Sequence, residues 1–343
     1  MIKNKKYHNY FSIWLIGLIT LVGLIIVIGG LTRLTDSGLS ITKWEVFKGV
    51  LPPLNQESWE RYFLEYKSIP QYVFLNQNMS LQEFKIIFFW EYFHRILGRI
   101  IGLFFFIPFI FFIFKRILNN YLTHRLILIS FLILLQGFIG WYMVKSGLVD
   151  NVSVSHYRLS LHLFTAFIIF SSLFWIFMNY RFNVKKKFFQ INSNFIFLKI
   201  LLFLIFIQII VGAFVSGLDA GKIYQTWPLM NGDFFPSDNF INNLFNFADP
   251  SFVQFIHRNI AYIILFLSIY LGIYIYKYKI NDLYKPYLFF IFLIIFQIML
   301  GVSVLYSDVN IYFASLHQIS SIFLILSSFN VYFRSIRSNY PNI

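Results

Sequence analysis

Residues 90–114 read WEYFHRILGRIIGLFFFIPFIFFIF. The first ten hold Glu91, His94, Arg95 and Arg99, and no charged side chain follows from Ile100 to Phe114. A run of this kind suits a helix through a hydrocarbon layer about 30 Å thick, which takes roughly 20 residues. Its ionisable residues then sit at one end of the span, where such groups are costly and are functional candidates by default. Similar runs recur and place eight spans at 12–31, 86–114, 126–144, 159–180, 196–217, 253–276, 287–306 and 311–333. Lipid offers backbone groups no partner, so spanning segments are helices or closed barrels. Runs this long select helices.

Composition agrees. Of the 343 residues 58% are hydrophobic and 12% charged, against about 25% charged in soluble domains. There is no cysteine, which excludes disulfides, iron–sulfur clusters, covalent c-type heme and thiolate zinc sites. The opening residues MIKNKKYHNYFSIWLIGLITLVGLIIVIGG carry an apolar run too long for a signal peptide and are expected to form a retained first span.

The net charge of +14 alone would suit nucleic acid, but its distribution points to membrane topology. The N-terminus (Lys3, Lys5, Lys6), three short loops (115–125, 181–199, 277–285) and the tail (Arg334, Arg337) fall on one side. That side holds 16 of the 28 basic residues and, of the acids, only Asp282. By the positive-inside rule both termini are cytoplasmic and the two long loops, 32–85 and 218–252, face outward. The expected partner is the lipid bilayer, with no nucleic acid.

The chain also repeats itself. Asp36-x-Gly38 and Trp44 return as Asp219-x-Gly221 and Trp227, each Trp followed at equal offsets by Gly and Pro (Gly49, Pro53; Gly232, Pro236). Then His94-Arg95 matches His257-Arg258, Gln136-x3-Gly140 matches Gln297-x3-Gly301, and Leu161-His162 matches Leu316-His317. Four spans per half make both halves enter the membrane from the same side. The expected fold class is an all-α membrane protein: eight transmembrane helices as two tandem four-helix bundles related by pseudo-twofold symmetry. The halves are placed at 1–185 and 186–343.

Of the seven histidines, His8 and His124 fall in cytoplasmic loops. His94, His162, His257 and His317 occupy matching places near the outward ends of spans 2, 4, 6 and 8, expected to lie at one depth in the first turns. Heme iron accepts an imidazole on each face, and two histidines from neighbouring helices make such a site in a bundle. Zinc or copper would draw three or four ligands to one point, so two pairs suit two hemes. His156 lies six residues before His162, a net rotation of about 240° on a helix, so the two cannot face one heme. His156 has no counterpart in the repeat and is assigned to the helix mouth. Glu91 shares the His94 face one turn away, and its counterpart is Gln254. It is expected either to handle a proton beside the N-terminal heme or to pair with Arg95 or Arg99.

Five stretches resemble the heme A synthase family: Gly29–Trp44 (GGLTRLTDSGLSITKW), Trp90–Gly102, Ser155–Leu163 (SHYRLSLHL), Gly217–Gly232 (GLDAGKIYQTWPLMNG) and Gln254–Tyr262 (QFIHRNIAY). The similarity is to the cysteine-free bacterial and mitochondrial branch. It implies an oxidoreductase of the inner (cytoplasmic) membrane that converts a methyl group of heme O to a formyl group. Heme A for cytochrome oxidase results, with water as the oxygen source. It implies a permanent heme B on His257 and His317 and a substrate heme between His94 and His162. Glu91, His94 and His162 would be the catalytic set. Heme O synthase and cytochrome oxidase assembly factors are the protein partners it implies.

The main alternative is a diheme b-type electron-transfer membrane cytochrome, whose two sites would be alike; Glu91 against Gln254 speaks for unlike sites. A transporter would show spans broken at mid-membrane, for which Pro108 is the main candidate. A prenyltransferase would need clustered aspartates, which the sequence lacks.

Overall fold

A computed structural model describes residues 2, 5–44, 48–149, 152–188, 196–236 and 244–336. Lys3 and Arg337, counted above on the basic side, lie outside the described residues. Ten α-helices run in chain order: α1 His8–Leu34, α2 Gln56–Lys67, α3 Pro70–Leu75, α4 Leu81–Phe114, α5 Asn120–Gly147, α6 His156–Arg181, α7 Ile196–Gly217, α8 Pro250–Lys277, α9 Asn281–Tyr306 and α10 Ile311–Ser335. Among the described residues there is no strand, only two isolated bridges. Eight of the helices (all but α2 and α3) are long and apolar enough to cross a membrane. The protein is a multi-pass membrane protein. Large apolar side chains such as Ile107, Phe131, Leu134, Phe203, Phe266 and Phe292 are exposed along the spans, as expected of helices bathed in lipid rather than water.

Helix starts follow from local chemistry. Asn119, Asp249 and Asn310 cap α5, α8 and α10 by accepting from Leu122, Ser251 and Tyr312 backbone N–H at 3.0, 2.9 and 2.9 Å. Ser80 and Glu83 form a reciprocal capping box at the start of α4. Just after the ends of α1, α7 and α9, Asp36, Asp219 and Asp308 take left-handed backbone angles, φ 50°, 51° and 53°. Aspartate tolerates that conformation better than most residues.

Two compact units are resolved by contacts, Met1–Phe170 and Ser171–Ile343. In the second, α7 packs on α8, α8 on α9, α9 on α10 and α10 back on α7, closing a four-helix ring. In the first, α1 and α5 flank α4, and α2 packs on α4 and α3. Residues 55–75 therefore form a cap on α4. Leu39, Ile41, Trp59, Phe63, Tyr66, Ile69, Phe84, Ile87 and Phe88 make one buried cluster. Tyr66 is fully buried, its hydroxyl paired with Gln71 and Asn76, and burial pushes its phenol up.

That cap corrects the expectation that His94 lies in the first turns of its helix. His162, His257 and His317 follow their helix starts by two turns or less. α4 instead begins at Leu81, so His94 lies roughly 20 Å along it. The first turns of α4 stay helical because Phe84, Ile87 and Phe88 are covered by the cap. Phe84 is wholly buried, stacked on Phe63 with ring centroids 5.0 Å apart. Phe84→Ala is expected to destabilise this region by about 3–5 kcal/mol. The expected result is a lower melting midpoint in detergent and faster proteolysis within 55–75; unchanged proteolysis would show that the cap does not depend on this ring.

Candidate functional site

Two imidazole pairs stand in the spans. The rings of His94 (α4) and His162 (α6) lie with centroids 6.3 Å apart and planes at 64°. Those of His257 (α8) and His317 (α10) lie 6.5 Å apart at 67°. Imidazole nitrogens bind such metals at about 2 Å, and the ring centre lies roughly 1 Å further. Two imidazoles on opposite faces of one iron thus place their centroids roughly 6 Å apart. Both pairs match that spacing. Among the described residues no group of three or more His, Cys, Asp or Glu is placed to hold a metal ion. The donor sets fit an iron whose four equatorial positions are filled by a macrocycle, not a bare metal ion.

Each ring is seated against a glycine of the preceding span. A Cβ added to Gly29, Gly140, Gly212 or Gly301 would lie 3.0, 2.9, 3.1 or 3.1 Å from Cε1 of His94, His162, His257 or His317 respectively. Any larger residue would push the ring away, so the glycines set how close imidazole and helix backbone come. Three rings also have a glutamine one turn before that glycine. Gln136, Gln208 and Gln297 each donate Nε2–H to the backbone oxygen of His162, His257 and His317 at 2.9, 3.0 and 2.9 Å. Their amide nitrogens lie 3.2, 3.3 and 3.3 Å from a ring nitrogen. His317 Nδ1 additionally lies 3.1 Å from the Gln297 backbone oxygen. A half-turn about Cβ–Cγ exchanges ring nitrogens with ring carbons and leaves the centroid in place, so the pair spacing holds in either orientation. Gln136, Gly140, Gln297 and Gly301 were legible in the repeat. Gln208-x3-Gly212 carries the same signal and was missed, because its counterpart in the repeat, span 1, has Ile25 in place of the glutamine. Gly29 lacks the glutamine and was missed for that reason.

His156 opens α6, its ring tilted at 40° to that of Tyr157 with centroids 4.0 Å apart. A concavity of about 480 Å³ in the cap, lined by Phe74–Met79 and Glu83, contains no histidine.

Beside His94, Glu91 is buried and fully engaged. Its Oε2 accepts from Ser40 Oγ and Ile41 N, both at 2.8 Å. Its Oε1 accepts from Arg95 Nε and Nη2 at 3.0 and 2.5 Å. Arg95 goes on to the Ile41 oxygen at 2.8 Å and stacks over Trp44 at 5.2 Å. The second unit repeats the clamp with one change. Arg258 donates to the Tyr224 oxygen at 2.8 Å, and Tyr224 occupies the place of Ile41 in the repeat. Gln254 donates to that same oxygen at 2.9 Å. The carboxylate therefore receives a backbone N–H where the amide gives to a backbone C=O. Trp44 and Trp227 are each partly exposed at equivalent points of the two clamped segments.

A helical membrane protein with two paired-imidazole sites beside clamped loops is, as a class, a multi-pass scaffold suited to heme. The chain belongs to the family described as cytochrome oxidase assembly protein, which matches residues 12–329. It is 48% identical over 339 residues to the heme A synthase of Pelagibacter ubique, covering 97% of this chain and 99% of that one. It is 43% identical over 317 residues to that of Rickettsia bellii (strain RML369-C), with 91% and 94% covered. The heme A synthase of Parvibaculum lavamentivorans is 46% identical over 266 residues, 77% of each chain.

Gly212→Ala and Gly301→Ala test the ring seats. Alanine favours helix over glycine by about 1 kcal/mol, so helix content should be kept while the ring is displaced. The expected outcome is less heme per purified chain with an unchanged far-ultraviolet circular dichroism spectrum; full heme content would show that the ring has room to spare.

Proposed function

We infer that this protein oxidises heme O to heme A, turning one methyl substituent into a formyl group for use in cytochrome oxidase. The observation that carries the reading is the pair of opposed imidazoles in each unit, at a spacing that suits an axially ligated heme. His257 and His317 would hold a permanent heme B, which supplies one-electron chemistry when bound. His94 and His162 would flank the substrate, heme O. The membrane is the inner (cytoplasmic) membrane, with both termini on the cytoplasmic side. That orientation leaves the Glu91 and Gln254 clamps outward, near the aqueous face that supplies water.

Methyl-to-formyl oxidation with water as the oxygen source must shed protons near the reacting carbon. Glu91 is the buried carboxylate on the His94 face, and its counterpart Gln254 cannot accept a proton at ordinary pH. We assign it that role together with His94 and His162. Of its donors, Ser40 is the one most readily released. Its hydroxyl is neutral and already lies 3.3 Å from the Ile87 backbone oxygen, an alternative acceptor. A proton arriving at Oε2 would displace Ser40 while Arg95 keeps Oε1. The second reading makes Glu91 an ionised organiser of the loop, which its four contacts favour.

Glu91→Gln separates the two. In cells supplied with heme O, the variant is expected to keep heme B and accumulate heme O or a partly oxidised heme, with the Ser40–Trp44 segment as protease-resistant as before. Loss of heme A together with opening of that segment would favour the organiser. Unchanged heme A output would remove Glu91 from the mechanism.

A further inference from the structure

The four histidine seats are alike except in one respect. The residue one turn before each seat glycine is Gln136, Gln208 and Gln297 in three cases and Ile25 in the fourth. Ile25 occupies the corresponding place in space. Its Cδ1 would lie 3.7 Å from a Cβ on Gly98, and Gly98 is one helical turn after His94, the position whose N–H pairs with the His94 carbonyl. An apolar side chain thus sits where the other seats have an amide. His94 makes no side-chain hydrogen bond to any described residue; its Nδ1 is buried without a partner, as is that of His257, but His257 has the Gln208 amide at its other nitrogen and His94 has none. His162, His257 and His317 each have a glutamine amide bridging the ring edge and the histidine backbone. The Gln297 amide is itself fixed by the Ser320 hydroxyl.

Contacts that fix where a ligating imidazole stands belong to the shell around a metal site, and losing one commonly weakens metal binding by about 10–100-fold. Gln136, Gln208 and Gln297 each anchor the backbone carbonyl of a histidine and lie against its ring edge, at Nδ1 of His162 and Nε2 of His257 and His317; His94 has no such anchor. Resting on the reading of the N-terminal pair as the substrate site, we propose that Gln136, Gln208 and Gln297 are positioning residues. By the same argument, Ile25 leaves His94 as the releasable axial ligand of that pair. A permanent heme needs two held ligands, which His257 and His317 provide. A substrate that must enter and leave as product needs one held ligand, His162, and one that lets go. The asymmetry is written on α1, a helix that contributes no histidine to either pair.

Carbon monoxide is the probe, since it binds ferrous heme only where an axial ligand gives way. The full-length protein would be purified after co-expression with heme O supply, reduced, and titrated with carbon monoxide. In the wild-type protein the heme of the N-terminal pair should bind carbon monoxide and heme B should not. Ile25→Gln is expected to lower that reactivity about tenfold or more and to raise retention of the second heme through purification. Ile25→Leu, which keeps the apolar contact without an amide, should behave as wild type. Gln208→Leu should make heme B carbon monoxide-reactive. The unchanged heme B spectrum reports that the Ile25 variants fold. Wild-type reactivity in Ile25→Gln with both hemes bound would overturn the proposal, as would an inert heme B in Gln208→Leu. If the second heme is bound equally well in His94→Ala and His162→Ala, the substrate-site reading itself fails instead.

Discussion

An imidazole inside a bilayer has to be given something to do, because hydrocarbon offers it no water and burial of an unsatisfied polar group costs several kcal/mol. This chain meets that constraint four times with one device. A glycine on the preceding span lets the ring approach the helix backbone, and the opposite ring lies 6.3 or 6.5 Å away. The helices α1, α5, α7 and α9 contribute no imidazole to either pair, yet each supplies the glycine against which a ring is seated. Spans and loops alike are organised around holding these rings at that separation.

The two long loops are tied to the same device. Glu91 and Arg95 flank His94 in sequence, and Gln254 and Arg258 flank His257, so a helix that presents an imidazole also grips the loop next to it. Arg95 and Arg258 grip equivalent backbone oxygens, those of Ile41 and Tyr224. Only the companion differs, carboxylate in one unit and amide in the other. A buried carboxylate held by four donors is stable where a bare one would not be, which accounts for the burial of Glu91. Around the imidazole pairs the two units differ at Glu91 against Gln254 and at Ile25 against Gln208.

Much of this was legible in the sequence. Apolar run length located all eight spans, with α7 placed at its observed limits of 196 and 217. The His-Arg and Leu-His repeats together singled out the four histidines that the structure pairs. The place of His94 well inside α4 was not read, because the first turns of α4 depend on long-range cover by Trp59, Phe63 and Tyr66. The early start was readable after the fact in Ser80-x-x-Glu83. Glycines 29 and 212 were hidden for a different reason: glycine is common in membrane helices, and only the opposite ring gives these two a role. The Glu91–Arg95 pairing stood among the alternatives. The further contacts to Ser40 and Ile41 required the fold of the loop.

The central claim is that one imidazole pair holds a resident heme and the other a passing substrate. Chromatography of hemes extracted from the purified protein, made with and without heme O supply, tests it most directly. The account predicts about one heme B per chain under both conditions, with heme O and its oxidised products appearing only when heme O is supplied. Heme B filling both pairs regardless of supply, with no heme O or heme A ever bound, would contradict it and leave a diheme electron carrier.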